Sequence, residues 1–278
     1  MPETALSTTK YDPKLDPFAG IMKGIMAEEL NPAMDYKCIG IVGGPKVGKS
    51  WLSATMPGFS KVYDFDNRKH SLAGKPRLNI STLQDIDQLK PTVVNDLESD
   101  LATLKYRKSK GEAIPDNFIF DSMTNWKRAL ENEYMRQAGG NSYRILKFAS
   151  TQLRQWQGYD AINGVKQYIH YFLAEFRQLG NVIVVFHERD EKDKAESTTQ
   201  ITKYTGKYTV DPQYLSDILV VFNDLWRLYI QPGSDKRVLQ VEADAEFSAC
   251  NSLGLKGLQE PDIEKMLKSA KINSLVRT

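Results

Sequence analysis

Lys37-Cys-Ile-Gly-Ile-Val-Gly-Gly-Pro-Lys-Val-Gly-Lys-Ser50 opens on an apolar run and closes on a glycine-rich turn. Lys37 to Val42 has the length and apolar density of a buried strand. Ser50 to Met56 reads as a helix, stopped by Pro57-Gly58. Between them Gly43, Gly44, Pro45, Lys46, Val47, Gly48, Lys49 and Ser50 match the pattern of a glycine, four residues and Gly-Lys-Ser. The pattern sits in the strand, turn and helix context that gives it meaning.

The chemistry follows from the residue types. Glycines let backbone N–H groups turn inward around an anion, and the next helix adds its unpaired N-terminal amides and positive dipole end. Lys49 would reach the β- and γ-phosphates of a nucleoside triphosphate. The Ser50 hydroxyl would meet the Mg²⁺ that bridges them. Trp51 completes the expected nucleotide-contacting stretch, so a nucleoside triphosphate and Mg²⁺ are the expected cofactors.

Outward from the loop, Lys61 to Phe65, Asn117 to Asp121 and Asn181 to Phe186 read as further strands. Leu83 to about Lys108 is a mostly polar helical stretch in which Pro91 marks a start or a kink. Asn125 to Leu179 holds two or three helices, broken around Gly139-Gly140 and again from Gly158 to Gly164. Leu225 to Ile230 and Arg237 to Val241 form a predicted hairpin, and Pro261 to Ala270 a terminal helix. Strands alternating with helices imply an α/β fold: a mostly parallel central sheet flanked by helices, with antiparallel edge strands. Residues 1–33 carry four prolines and read as an N-terminal arm, leaving 34–278 as one folded domain.

Three strand ends offer polar partners for the loop. Phe118-Ile-Phe-Asp121 supplies an aspartate for the metal side, although Asp also caps helices and a helix follows. Val62-Tyr-Asp64-Phe-Asp66 places two carboxylates on one side of a strand; Asp66, nearer the carboxyl end, is the better candidate for general base, with Asp64 structural. His187 ends the most apolar strand, where it would either sense a γ-phosphate or simply be satisfied by a backbone group.

Composition narrows the class. With 37 basic and 35 acidic side chains the chain has a formal charge of +2, so any nucleic-acid surface must be local. Cys38 and Cys250 form neither a disulfide framework nor a paired zinc motif. No leader or run of about eighteen apolar residues stands out, so no membrane partner is expected and the cytoplasm is the expected compartment. The polar segment after His187 interleaves Lys203, Tyr204, Lys207 and Tyr208, which would neutralise phosphates and stack on unpaired bases; an exposed hairpin without that role fits the same residues.

These motifs, in this order, resemble the RecA-like P-loop (AAA-type) ATPases encoded by bacteriophages, including the Sak-type single-strand annealing and recombination proteins. Gly43 to Ser50 resembles their Walker A, Tyr63 to Asp66 their acidic second strand, Phe118 to Ser122 their Walker B, and Val184 to Glu188 their sensor strand. The resemblance implies a RecA-like core whose ATP hydrolysis, stimulated by DNA, acts on single-stranded DNA in recombination, annealing or replication. It implies a ring or filament of copies, a single-stranded DNA-binding protein as a further partner, and DNA contacts after the sensor strand, Arg189 among them. A basic finger reaching a neighbouring copy would come from Lys236 and Arg237, a pair that fits a solvated turn equally. Asp66 departs from the glutamate such recombinases commonly carry. The alternative is a nucleotide-gated assembly or loader protein with little hydrolysis of its own.

Overall fold

The computed structural model describes residues 36–84, 92–138, 157–192, 204–211 and 218–270. Among them nine strands build one sheet: β1 Cys38–Gly43, β2 Ser60–Asp64, β3 Leu78–Thr82, β4 Asn117–Asp121, β5 Asn181–Lys192, β6 Tyr204–Asp211, β7 Asp224–Ile230, β8 Arg237–Gln240 and β9 Leu258–Gln259. The α-helices are α1 Lys49–Ser53, α2 Val93–Ser109, α3 Met123–Ala138, α4 Gln157–Arg177 and α5 Ile263–Ser269. The strand order is β3-β2-β4-β5-β1-β7-β8-β9, with β6 paired to β5. From β3 to β7 every pair is parallel, whereas β7 with β8, β8 with β9 and β5 with β6 are antiparallel. The α/β architecture read from the alternation of strands and helices is the architecture observed.

Successive residues of a strand face opposite ways, so the apolar runs feed two cores. Tyr63, Phe118, Phe120, Val182, Val184 and Phe186 pack on one face with Trp126 of α3 and Phe172 and Phe176 of α4. Ile39, Ile41, Val62, Ile119, Ile183 and Trp226 point the other way, toward Leu52 of α1 and Met266 and Leu267 of α5. That second face is the one on which the glycine-rich loop and its helix lie.

Three expectations shift. The helical stretch expected from Leu83 begins at Val93, with residues 85–91 outside the described ones. The break expected at Gly158 to Gly164 is not there, because α4 runs through both glycines. Each glycine costs a helix only about 1 kcal/mol, and Val165, Tyr168, Ile169, Phe172, Leu173 and Phe176 bury a continuous apolar stripe that outweighs it. The polar segment after His187 is in part a β-ribbon: β5 continues to Lys192 and pairs with β6. Strand β3, half-exposed at the sheet edge, has too weak an apolar pattern to be read from sequence.

The two ends of the sheet differ chemically. At the amino end buried amides satisfy one another: Asn117 Nδ2 donates to Pro57 O (2.7 Å) and Ser60 Oγ (3.1 Å), and Asn181 Nδ2 donates to Asn117 Oδ1 (3.0 Å). At the carboxyl end the sheet presents Gly43, Asp64, Asp121 and His187, the edge where ligands of open α/β sheets collect.

Candidate active site

Parallel pairing carries the ends of β1, β2 and β4 to one edge beside His187. His187 does not end its strand as expected, because pairing with β6 carries β5 on to Lys192. Gly43 of β1 lies level with His187 of β5, and Asp64 of β2 level with Asp121 of β4. Position 43 has to be glycine, because an added Cβ would sit 2.3 Å from the Leu228 carbonyl oxygen. In the loop, Lys46 (φ 62°) and Gly48 (φ 103°) are both left-handed. Glycine takes that conformation freely, and lysine holds it against a cost, as residues at ligand-clamping loops often do.

Lys49 is buried, and its Nζ donates to the carbonyls of Gly43 (2.8 Å) and Gly44 (2.6 Å). The lysine is thus folded back on its own loop, with one of its three donors left over. Burial lowers its pKa, and attraction to Asp121 opposes that. Ser50 hydrogen-bonds Asp121, which is buried at the end of β4. Desolvation pushes the Asp121 carboxyl up to about 6, with repulsion from Asp66 and Asp64 adding to it and the Ser50 hydrogen bond and Lys49 resisting.

Asp66 lies two residues past β2 and is held from several sides. Its Oδ1 accepts from Ser122 Oγ (2.8 Å) and Asn125 Nδ2 (2.7 Å), while Oδ2 faces His187 Nε2 (3.7 Å) and Arg68 Nε (3.8 Å). Burial alone would raise its pKa. The nearby His187 imidazole and the hydrogen bonds from Ser122 and Asn125 outweigh that and bring it to about 2. Sequence reasoning had Ser122 only as the end of the Walker B-like stretch and missed Asn125 as a site residue; their signal is polar residues three apart where a strand turns into a helix.

Glu188, next after His187, is gripped by Arg227 of β7, whose Nε and Nη2 donate to its two carboxylate oxygens at 2.9 and 3.2 Å. Arg227 also donates to Glu246 and lies 3.7 Å from the Tyr208 ring centroid. This residue too was missed, although a lone arginine inside the apolar run Leu225-Trp-Arg-Leu-Tyr-Ile230 is a readable anomaly. Of the DNA candidates, Tyr208 therefore has one ring face covered by its own chain. Arg189 is half-buried on β5, Tyr204 and Lys207 are positions on β6, and Lys203 lies outside the described residues.

Arg237 starts β8, and its Nε donates to the Val47 carbonyl (2.9 Å), a contact with this chain's own loop; Lys236 is exposed on the adjoining turn. Trp51 is 46% exposed, with the Lys75 ammonium 3.7 Å from its ring centroid. A cavity of about 400 Å³ between Trp51, Val47, Leu228, Arg237 and Pro261 adjoins the loop.

The donors here suit a magnesium ion. Ser50, Asp121 and Asp64 offer only hard oxygens, and Asp64 Oδ2 is a buried acceptor without a hydrogen-bond partner. No group of three or more His, Cys, Asp or Glu side chains among the described residues could hold a metal unaided. Mg²⁺ is characteristically held by one or two carboxylates together with waters and substrate phosphates. No helix among the described residues is long and apolar enough to cross a membrane.

A family model described as "AAA domain" matches residues 35–252. No curated protein matches the chain. Among solved structures, a prototypical ATPase from the type III secretion system of pathogenic bacteria is 15% identical with a TM-score of 0.41, covering 70% of this chain and 52% of that one. This chain thus spans about half the length of that ATPase.

Proposed function

This chain belongs to the AAA domain family, and from that premise we propose that it hydrolyses ATP with Mg²⁺ at the Gly43–Ser50 loop and couples the cycle to single-stranded DNA. The observation that carries the hydrolytic reading is the convergence of Lys49, Ser50, Asp121 and Asp66, from three separate segments, on one sheet edge.

Each residue has a part. Lys49 would exchange its two loop carbonyls for phosphate oxygens, so that its ammonium would meet anionic rather than neutral acceptors. Ser50 and Asp121 would hold the metal ion, which would supply neutralisation of the phosphate charge. A carboxylate near pKa 2 is too weak a base to keep a proton at neutral pH, so Asp66 orients the attacking water rather than deprotonating it outright. His187, between Asp66 and the ribbon of β5 and β6, reports the γ-phosphate to both.

The ribbon is the proposed meeting point with DNA, through Arg189, Tyr204, Lys207 and Tyr208, with Lys203, which precedes Tyr204 in sequence, as a further candidate. The motif order shared with phage-encoded RecA-like proteins supports recombination, annealing or replication as the setting, with several copies acting together. Lys236, exposed on its turn, is the residue left to reach a neighbour, Arg237 being bound to its own loop. The covering of Tyr208 by Arg227 favours a second reading, a nucleotide-gated assembly protein with slow hydrolysis.

One experiment separates the two: phosphate release and particle size measured with ATP, ADP or no nucleotide, each with and without single-stranded DNA. DNA-stimulated release supports the first reading, and ATP-dependent growth without release the second. Lys49→Ala is expected to lower turnover by at least about 10²-fold, and unchanged turnover would overturn the site.

A further inference from the structure

Buried polar atoms without a partner are rare, and among the described residues only three side-chain atoms qualify: Asp64 Oδ2 and the indole nitrogens of Trp126 and Trp226. The indoles are neutral donors inside aromatic and aliphatic packing. Asp64 is different, being a carboxylate 3% exposed at the carboxyl edge of the sheet. Its other oxygen, Oδ1, accepts the Asp66 backbone N–H at 3.1 Å. Only Oδ2 is left for something the chain itself does not supply. At the opposite edge the buried Asn117 and Asn181 amides are satisfied by protein atoms.

Position tells what that something is. Asp64 and Asp121 are direct partners in the parallel register of β2 and β4, and partners in a parallel pair project to the same face about 4.8 Å apart. On both strands that face is the one carrying α1, since Val62 and Ile119, two residues earlier, pack against Leu52. Asp121 in turn is hydrogen-bonded by Ser50 of α1. The unsatisfied oxygen therefore flanks the Ser50 and Asp121 pair.

We propose that Asp64 is the second carboxylate of the divalent-cation site, its Oδ2 accepting a hydrogen bond from a water in the hydration shell of the ion that Ser50 and Asp121 hold. Mg²⁺ gives up its waters reluctantly and is commonly bound with several retained, so an acceptor one strand away from the liganding aspartate orients that shell without entering it. Such outer-shell partners typically contribute 10- to 100-fold in metal affinity. Asp64 is a positioning residue on this assignment, and it leaves Asp66 to the attacking water. The inference rests on the nucleotide reading of the loop.

The test replaces Mg²⁺ by Mn²⁺ and measures free ion by electron paramagnetic resonance in the presence of protein and a non-hydrolysable ATP analogue. Asp64→Asn is expected to weaken Mn²⁺ binding by about 10- to 100-fold while leaving metal-free nucleotide binding, measured in chelator, unchanged. Asp64→Ser, which keeps an acceptor for the Asp66 N–H, is expected to give the same loss and serves if the first variant does not fold. Mn²⁺ affinity unchanged in a folded variant overturns the assignment, and if turnover is lost as well, Asp64 is a base rather than a metal-side group. If the unaltered chain binds neither the analogue nor Mn²⁺ with it, the nucleotide reading itself fails and this inference with it.

Discussion

Burial lifts Asp121 to about 6, whereas the donors around Asp66 bring it to about 2, so the two carboxylates link stability to pH in opposite senses. A carboxyl raised above its unfolded value of 3.8 binds its proton more tightly when folded. Its stability cost is therefore absent below about pH 4 and complete above about pH 6. Asp121→Asn removes that cost: the ligand-free variant is expected to gain up to about 3 kcal/mol at pH 8 and nothing at pH 3.5, while losing Mg²⁺-dependent turnover. Equal melting of variant and parent at both pH values would refute the assigned environment. Asp66 runs the other way. Its depressed pKa contributes stability that is present above the unfolded value and lost as pH falls from about 4 to about 2. Asp66→Asn is expected to cost about 2 kcal/mol at neutral pH, with the gap closing in acid, and to lower kcat by about 10²-fold or more. Urea unfolding against pH measures the first and phosphate release the second.

The β5–β6 ribbon is held to the sheet by side chains as well as by strand pairing. Arg227 of β7 binds Glu188 of β5 through two hydrogen bonds, reaches Glu246 and covers Tyr208 of β6. Its side chain is 8% exposed and that of Glu188 13%, so removing the arginine strands a carboxylate away from water. Arg227→Ala is expected to cost about 3 to 5 kcal/mol and to make the ribbon the first point of limited proteolysis. Arg227→Lys keeps the charge but loses the paired geometry, and is expected to recover only part of that stability. If the ribbon transmits the nucleotide state from His187, both variants also weaken any dependence of DNA binding on ATP. A ribbon as protease-resistant in Arg227→Ala as in the parent would show that strand pairing alone secures it.

At the scale of the molecule, one sheet edge gathers groups from α1, β2, β4 and β5, and a ligand bridging them ties together segments far apart in sequence. Ligand binding to the folded state alone adds stability by mass action, about 2.7 kcal/mol at a hundredfold excess over Kd. For a domain of this size that is on the order of 5 to 10 °C in melting temperature. Mg²⁺ with ATP is expected to give a shift of this order and Lys49→Ala to abolish it, as measured by differential scanning fluorimetry. A full shift in the variant would place the nucleotide elsewhere.

Local pattern determined much of this protein. A strand, a glycine turn and a Gly-Lys-Ser sequence specify a phosphate loop within fourteen consecutive residues, because the backbone geometry that wraps phosphates is itself local. Apolar runs ending in Asp121 and His187 announced the strands and the first polar group after each run for the same reason, although not that β5 continues past His187. Which carboxylate meets which partner was decided only in three dimensions. Asp66 takes its donors from Ser122 and Asn125 and faces His187, and Asp64 lies level with Asp121, because β2, β4 and β5 stand side by side in that order. The clamp on the ribbon, likewise, joins residues from three strands and a loop. Strand order and register are set by packing between distant segments, and the burial that shifts a carboxyl's pKa exists only once those segments have met.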